Sequence, residues 1–262
     1  MIYKILTFIF LFLHSSRAII NCPESITSSG LANDLGLLSD QVSSEEYDVQ
    51  GVCGLYKPLV TVNAIYDTRV RLYQRDKNLF IMFRPTQQTS EGGDIHVNRR
   101  LVLCQFITDC QGMVHERFQE AFIELSHEID WQKFKDFNVY IGGHSLGGAF
   151  AIFMGIFLYK NYNITPKMIL GIAGPFIGDE RFNQNYLVPL KEIVPDWWQI
   201  EDYNDQDSDL TVEKYNVDNY PYISIYEPAV CKVYVNRLWD SYGMHDLRNY
   251  RQAFVGKNCD SL

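Results

Sequence analysis

The most constraining stretch of this chain is Asn138-Val139-Tyr140-Ile141-Gly142-Gly143-His144-Ser145-Leu146-Gly147-Gly148-Ala149. An apolar run leads into a serine framed by glycines, and Gly148-Ala149-Phe150-Ala151-Ile152-Phe153 then continues as an apolar helix start. The pattern predicts a strand that turns sharply into a helix while holding one hydroxyl at the apex. Gly143 and Gly147 flank that turn because a Cβ there would collide with neighbouring backbone or need an unfavourable φ. The first N–H groups of the new helix have no intrahelical partner, so they point toward any negative charge forming nearby. The competing reading is a tight structural turn that happens to contain a serine.

Residues 143–147 fit G-x-S-x-G, the nucleophile elbow of α/β-hydrolases. With 262 residues and 47% hydrophobic content, the chain has room for one well-cored domain and little room for two. Residues 1–18 stand apart from it. Lys4 precedes the run Ile5 to Leu13, and Ser16-Arg17-Ala18 offers small residues at the two positions a signal peptidase reads. The run is too short to span a bilayer, so it predicts a secretory signal peptide, with 19–262 as the mature domain. No other segment is long and apolar enough for a transmembrane span. A secreted, extracellular and monomeric protein is expected.

Six cysteines in an exported chain, Cys22, Cys53, Cys104, Cys110, Cys231 and Cys259, read as three disulfides with 15 possible pairings. Cys104 and Cys110 are close enough to close a small loop. Cys22 with Cys259 would tie the termini, which leaves Cys53 with Cys231, though the sequence does not choose among the pairings. There is no Cys-x-x-Cys pair, so zinc and redox readings are weak. The formal charge is −9, and −11 once Lys4 and Arg17 leave with the signal peptide. Such a surface repels nucleic acid and anionic bilayers. Asn163-Ile164-Thr165 is an N-glycosylation sequon, with Pro166 behind it.

Along the chain, Ser25 to Ser39 mixes small polar residues with leucines and suggests a short helix, and Asn33 to Glu46 reads as polar and turn-rich. Thr68 to Tyr73 alternates as a half-exposed strand. Arg75-Asp76-Lys77-Asn78 turns, and Leu79 to Phe83 is a continuous apolar strand, so the two form a hairpin. Leu101 to Ile107 reads as a further extended segment. Val114, Phe118, Ala121, Phe122, Leu125 and Ile129 recur at helical spacing. A strand at 138–142, a helix at 146–160 and a strand at Met168 to Ala173 then predict a parallel sheet covered on both faces. Ile223 to Tyr226 and Val230 to Val235 suggest a late antiparallel hairpin.

Asp196 to Glu213 is rich in acids, with the bland reading of a solvated loop. Its Asp205-x-Asp207-x-Asp209 spacing offers oxygens at alternating positions. It lacks the glycine and terminal glutamate of an EF-hand, so a calcium site is the minor reading and no metal is assigned. A serine hydroxyl needs a base to take its proton and an acid to fix that base. In hydrolases with this elbow the chain order is serine, acid, histidine. His245 is the sole histidine after Ser145 and therefore the expected base. His144 adjoins the nucleophile, and its side chain should point away.

Gly143-His144-Ser145-Leu146-Gly147-Gly148-Ala149 resembles the elbow of the fungal-type (class 3) lipases. Phe83-Arg84-Pro85-Thr86 resembles that family's F-R-G-[ST] strand end, Val114-His115-Glu116-Arg117-Phe118 its V-H-x-G-F run, and Gly174 to Phe182 its G-x-P-R-V-G-D-x-x-F segment. The resemblance implies an α/β-hydrolase fold with a central, mostly parallel sheet flanked by helices. It implies Ser145 as nucleophile and His245 as base, although the tyrosine that follows the family's histidine at +3 stands at Tyr250. The N–H of Leu146, with the N–H and hydroxyl of Thr86, would form the oxyanion hole. Tyr203-Asn204-Asp205-Gln206-Asp207 fits the family's V-N-E-R-D-like stretch and makes Asp207 the acid. Glu192, from aligning Lys191-Glu192-Ile193-Val194-Pro195 with R-D-I-V-P, is the rival, and Asp209 and Asp196 stay open.

Several departures bear on substrate. Pro85 replaces the oxyanion-loop glycine, and Phe176 replaces an arginine. Thr86 to Arg99, where family members carry an amphipathic lid, is polar, with Gly92-Gly93 in its middle and no aromatic. A long acyl chain needs apolar wall, at roughly 0.8 kcal/mol per buried CH₂. Trp197 and Trp198 either supply some of it or are core aromatics. The resemblance implies hydrolysis of lipid esters through an acyl-enzyme, at a lipid–water interface, with no cofactor. A phospholipase or short-chain or aryl esterase with the same triad, and a catalytically inactive lipid- or protein-binding relative, are the alternatives.

Overall fold

The computed structural model describes residues 19–21, 30–43, 56–85, 100–175, 177–202 and 230–234. These residues build an eight-stranded sheet around the elbow. In chain order its strands are β1 (Ile19–Asn21), β2 (Lys57–Ala64), β3 (Thr68–Arg75), β4 (Asn78–Phe83), β7 (Asn138–His144), β8 (Met168–Ile172), β9 (Asp196–Asp202) and β10 (Val230–Tyr234). Across the sheet the order is β1-β10-β9-β8-β7-β4-β3-β2. The five strands from β10 to β4 are parallel, while β1, β3 and β2 pair antiparallel at the flanks. A separate pair, β5 (Leu101–Leu103) and β6 (Met113–His115), stands outside it. The architecture is the α/β-hydrolase fold expected from the sequence.

Among the described residues, the long helices that cover this frame are α1 (Gly30–Ser43), α2 (Glu116–His127) and α3 (Leu146–Tyr162). Residues 146–158 of α3 are buried on every side, which explains why its sequence shows no polar face. Residues of β4 alternate between two cores, as a period of two requires. Leu79, Ile81 and Phe83 join the main cluster with Val139, Ile141, α2 and α3. Phe80 turns the other way, stacking on Tyr140 with ring centroids 5.0 Å apart and meeting the edge of Tyr56 at 4.9 Å. Phe106, Phe122, Phe153 and Phe182 knit α2 and α3 to the segment after β8. Each ring so buried contributes about 1.5–3 kcal/mol.

The hairpin of β3 and β4 forms as expected, turning over Asp76 and Lys77. The expectation that β3 is half exposed is corrected, because its residues from Thr68 to Tyr73 are all buried. The cause is α1, which runs on to Ser43 through a stretch that reads as turn-rich. Arg71 Nη1 donates to the Gln41 carbonyl at 2.7 Å, and Arg69 Nη1 donates to that of Val42 at 3.4 Å. The two guanidiniums thus cap the negative end of the helix, and Thr61 and Asn63 of β2 accept from their Nε atoms.

The acidic stretch is corrected too. Asp196–Asp202 is strand β9, zipped between β8 and β10, rather than the start of a loop. Parallel pairing with a buried neighbour outweighs the low strand propensity of its acids. Trp197 is buried in the main core. β10 pairs parallel with β9, and residues 223–226, expected as its hairpin partner, lie outside the described residues. Only 101–103 of the extended segment 101–107 is strand, because the Cys104–Cys110 disulfide closes the next loop with its Cα atoms 5.4 Å apart. The other two cysteine pairings considered, Cys22 with Cys259 and Cys53 with Cys231, lie outside the described side chains.

Candidate active site

β7 delivers Ser145 at the carboxyl edge of the parallel strands, and α3 begins at the next residue. Ser145 has φ 55° and ψ −126°, a region almost closed to residues with a Cβ. Its N–H donates to the Ile172 carbonyl at 2.8 Å, and its own carbonyl accepts from Gly148 N–H at 2.8 Å. Bonds on both sides therefore hold the strained residue in place. Two glycines make room for it. A Cβ on Gly143 would strike the backbone of Gly147, and one on Gly147 would strike the carbonyl of Phe83 at the end of β4.

Leu146 opens α3, where the first N–H groups lack intrahelical acceptors. Arg84 follows β4 and donates its N–H to the Arg69 carbonyl at 3.0 Å, so the strand end runs beside the elbow. His144 is buried and registers with Ile172 of β8. Thr86, Asp207, Asp209 and His245 lie outside the described residues. Glu192 is exposed on the short helix Val188–Ile193, which leads into the amino end of β9. Asp196 is the first residue of β9 and pairs with Met168, the first of β8. Both acids therefore stand at the edge of the sheet opposite Ser145. The Tyr140 hydroxyl, near that same edge, titrates above its usual range, through burial first and the Asp196 charge second.

Two further motif segments meet in space. His115 N–H donates to the Ile177 carbonyl at 3.1 Å, Asp179 N–H donates to that of Met113 at 2.8 Å, and Val114 bridges Gly178. Asp179 then caps the following helical turn by accepting from Phe182 N–H at 2.8 Å. His115 starts α2, its Nδ1 accepting from Phe118 N–H at 3.4 Å. Its role is structural in this arrangement.

Residues 80–197 match the family described as Lipase (class 3). Over that segment the chain is similar to the class 3 lipases. The matched segment runs from within β4 through the elbow to the start of β9, so it contains Ser145 and the glycines around it. Solved structures with the same fold include a lipase of Rhizopus microsporus var. chinensis, with TM-score 0.58 and 16% identity, covering 76% of this chain and 74% of that one. Lipase II of Rhizopus niveus aligns at TM-score 0.58 and 15% identity over 76% and 79% of the two chains. A fungal lipase–inhibitor complex aligns at 0.54 and 19% over 70% and 73%. A partial likeness also exists to the RNA-dependent RNA polymerase of Ourmia melon virus, 31% identical over 94 residues, which is 35% of this chain and 11% of that protein. Among the described residues, no helix is long and apolar enough to cross a membrane.

One side-chain contact beside the elbow had no signal in the sequence. Asp67 sits in the turn between β2 and β3 and reaches Arg84 at the end of β4. A turn aspartate beside a tyrosine is too ordinary to single out before the strands are paired.

Proposed function

We infer that this protein hydrolyses carboxylic esters of lipids through an acyl-enzyme on Ser145. The observation that carries the reading is the backbone of Ser145, a non-glycine residue held at φ 55° between a buried strand and a buried helix. Strain of about 1–3 kcal/mol at one serine is retained where it presents a side chain for use. Topology supports the remaining roles. The chain leaves β9 at Asp202 and β10 at Tyr234, both on the edge that bears Ser145, before it reaches Asp207 and His245.

In this reading His245 takes the Ser145 hydroxyl proton as Oγ attacks the ester carbonyl, and Asp207 orients the imidazole. The N–H groups of Leu146 and Thr86 hold the oxyanion. Collapse breaks the C–O bond, and His245 passes the proton to the departing alkoxide. Water then attacks the acyl-enzyme by the same route, and the acid leaves. The polar sequence from Thr86 to Arg99 favours short or polar-headed esters over long triacylglycerols at an interface. Secretion follows in the same reading. Strand β1 opens at Ile19, the first residue after the expected cleavage point, and the exposed Asn163 at the end of α3 is open to glycosylation. The working form is a monomer.

Hydrolysis of a nitrophenyl ester series from C2 to C16, by the protein and by Ser145→Ala, with and without a lipid interface, tests this. Activity abolished by the substitution is the expected result. Equal rates in the two proteins, or none at any chain length, would overturn the reading in favour of a binding protein.

A further inference from the structure

We propose that Arg84 and Asp67 form a positioning clamp that sets the end of β4, and with it the oxyanion side of the Ser145 site. The proposal rests on the ester-hydrolase reading above and adds two residues to it.

Arg84 is among the largest fully buried side chains of the protein, at 1% relative exposure. A guanidinium withdrawn from water costs several kcal/mol unless it is well paired. Its pairing is local and one-sided. Nη2 donates to both the backbone carbonyl and the carboxylate of Asp67, and among the described residues Nε has no hydrogen-bond partner. A hydrophobic side chain would fill the same space without that cost, so bulk is not what the arginine supplies. What it supplies is a rigid link from the strand end to one turn.

That turn is itself pinned. Tyr66 and Asp67 both hold positive φ, 56° and 53°, which is uncommon for residues with side chains. Ile65 N–H donates to Glu124 at 3.1 Å, the Tyr66 hydroxyl donates to Glu120 at 2.8 Å, and the Arg117 guanidinium lies 5.3 Å from the Tyr66 ring centre. All three partners belong to α2, so the turn is tied to a packed helix, and Arg84 is tied to the turn.

The chain around Arg84 explains why a side-chain anchor is needed. Its N–H, bonded to Arg69, is the last backbone donor before Pro85, which has none. The backbone of Phe83 and Arg84 lies against Gly147, one helical position past Leu146. Where Arg84 is held, Pro85 then fixes the direction in which the chain leaves toward residue 86. Loosening the clamp would let one oxyanion donor drift while Ser145, anchored separately through Ile172, stays put.

The test compares Arg84→Met, Arg84→Lys and Asp67→Asn with the parent protein on a soluble ester and on its thionoester, in which sulfur replaces the carbonyl oxygen. The hole stabilises a developing oxyanion far better than the larger, softer sulfur anion. Expected is a fall in kcat for the ester of about 10- to 100-fold with KM within about twofold. The ester-to-thionoester ratio should fall with it, and Arg84→Lys should recover part of the loss. Asp67 is 39% exposed, so Asp67→Asn serves where the arginine variants fail to fold. Equal slowing of both substrates would make the pair merely structural, and unchanged kcat in folded variants would remove the clamp. Ser145→Ala is assayed alongside. Parental rates in that variant would remove the hydrolase reading, whereas an inactive Ser145→Ala with fully active clamp variants would remove the clamp alone.

Discussion

The α-carbon of Gly147 lies against the carbonyl of Phe83, so close that no Cβ fits between the start of α3 and the end of β4. Two elements 64 residues apart in sequence are thereby brought into backbone contact beside Ser145. Gly147→Ala should force them apart, at about 2–3 kcal/mol of stability. Ester hydrolysis should fall further than the folded fraction does. Thermal melts and rates on the same preparation check this, and a stable, fully active variant would speak against it.

Strain at Ser145 separates two substitutions that both remove the hydroxyl. Ser145→Ala keeps a Cβ at φ 55° and should melt with the parent protein. Ser145→Gly relieves the strain and should gain about 1 kcal/mol after the added chain entropy of glycine is offset. That gain corresponds to roughly 2–4 °C in Tm for a domain of this size. Identical melting of the two variants would mean the serine is not strained.

A buried acid on the far side of the sheet predicts a pH effect. Asp34 of α1 is 3% exposed and accepts from the Tyr56 hydroxyl, while Arg75 Nη1 lies 3.7 Å from its carboxylate. Burial outweighs both partners and raises the carboxyl above its ordinary value of 3.8. A raised folded pKa favours folding below the unfolded value, and that contribution is lost as pH rises through the folded one. Asp34→Asn keeps an acceptor for Tyr56 and carries no charge. Its Tm relative to the parent should be higher at pH 7 than at pH 3. A difference that stays flat with pH would contradict the assignment.

The Cys104–Cys110 loop is braced from three sides. Gln119 accepts from Gln105 N–H at 2.5 Å and donates to the Leu103 carbonyl at 3.1 Å, and the Tyr186 hydroxyl accepts from Gln111 N–H at 2.7 Å. Closing so short a loop is worth about 2 kcal/mol through the unfolded chain. Replacing both cysteines by alanine should therefore lower Tm by about 4–8 °C. Because Gln119 and Tyr186 hold the loop as well, ester hydrolysis at 25 °C should stay within about twofold. A large loss of activity at full folding would place the loop closer to the chemistry.

Local geometry made the elbow legible. A strand, two glycines around a serine and an apolar helix specify their own backbone, so residues 138–162 read directly as β7, Ser145 and α3. The same holds for the β3–β4 hairpin, whose turn lies within its own residues. Asp67 and the buried arginines were not legible, because their meaning comes from partners on other elements. Arg69 and Arg71 alternate with apolar residues as solvent-facing charges do, until α1 ends above them.

The chain by itself determined the setting of Ser145 and the parallel α/β frame, since both follow from short-range turn chemistry and hydrophobic period. Tertiary structure alone decided that acidic β9 is a central strand, that Glu192 and Asp196 sit at the edge away from Ser145, and that Arg84 is tied to Asp67. Those outcomes depend on which strands lie side by side. Pairing between distant segments is set by the total burial it achieves, which no local stretch of residues contains.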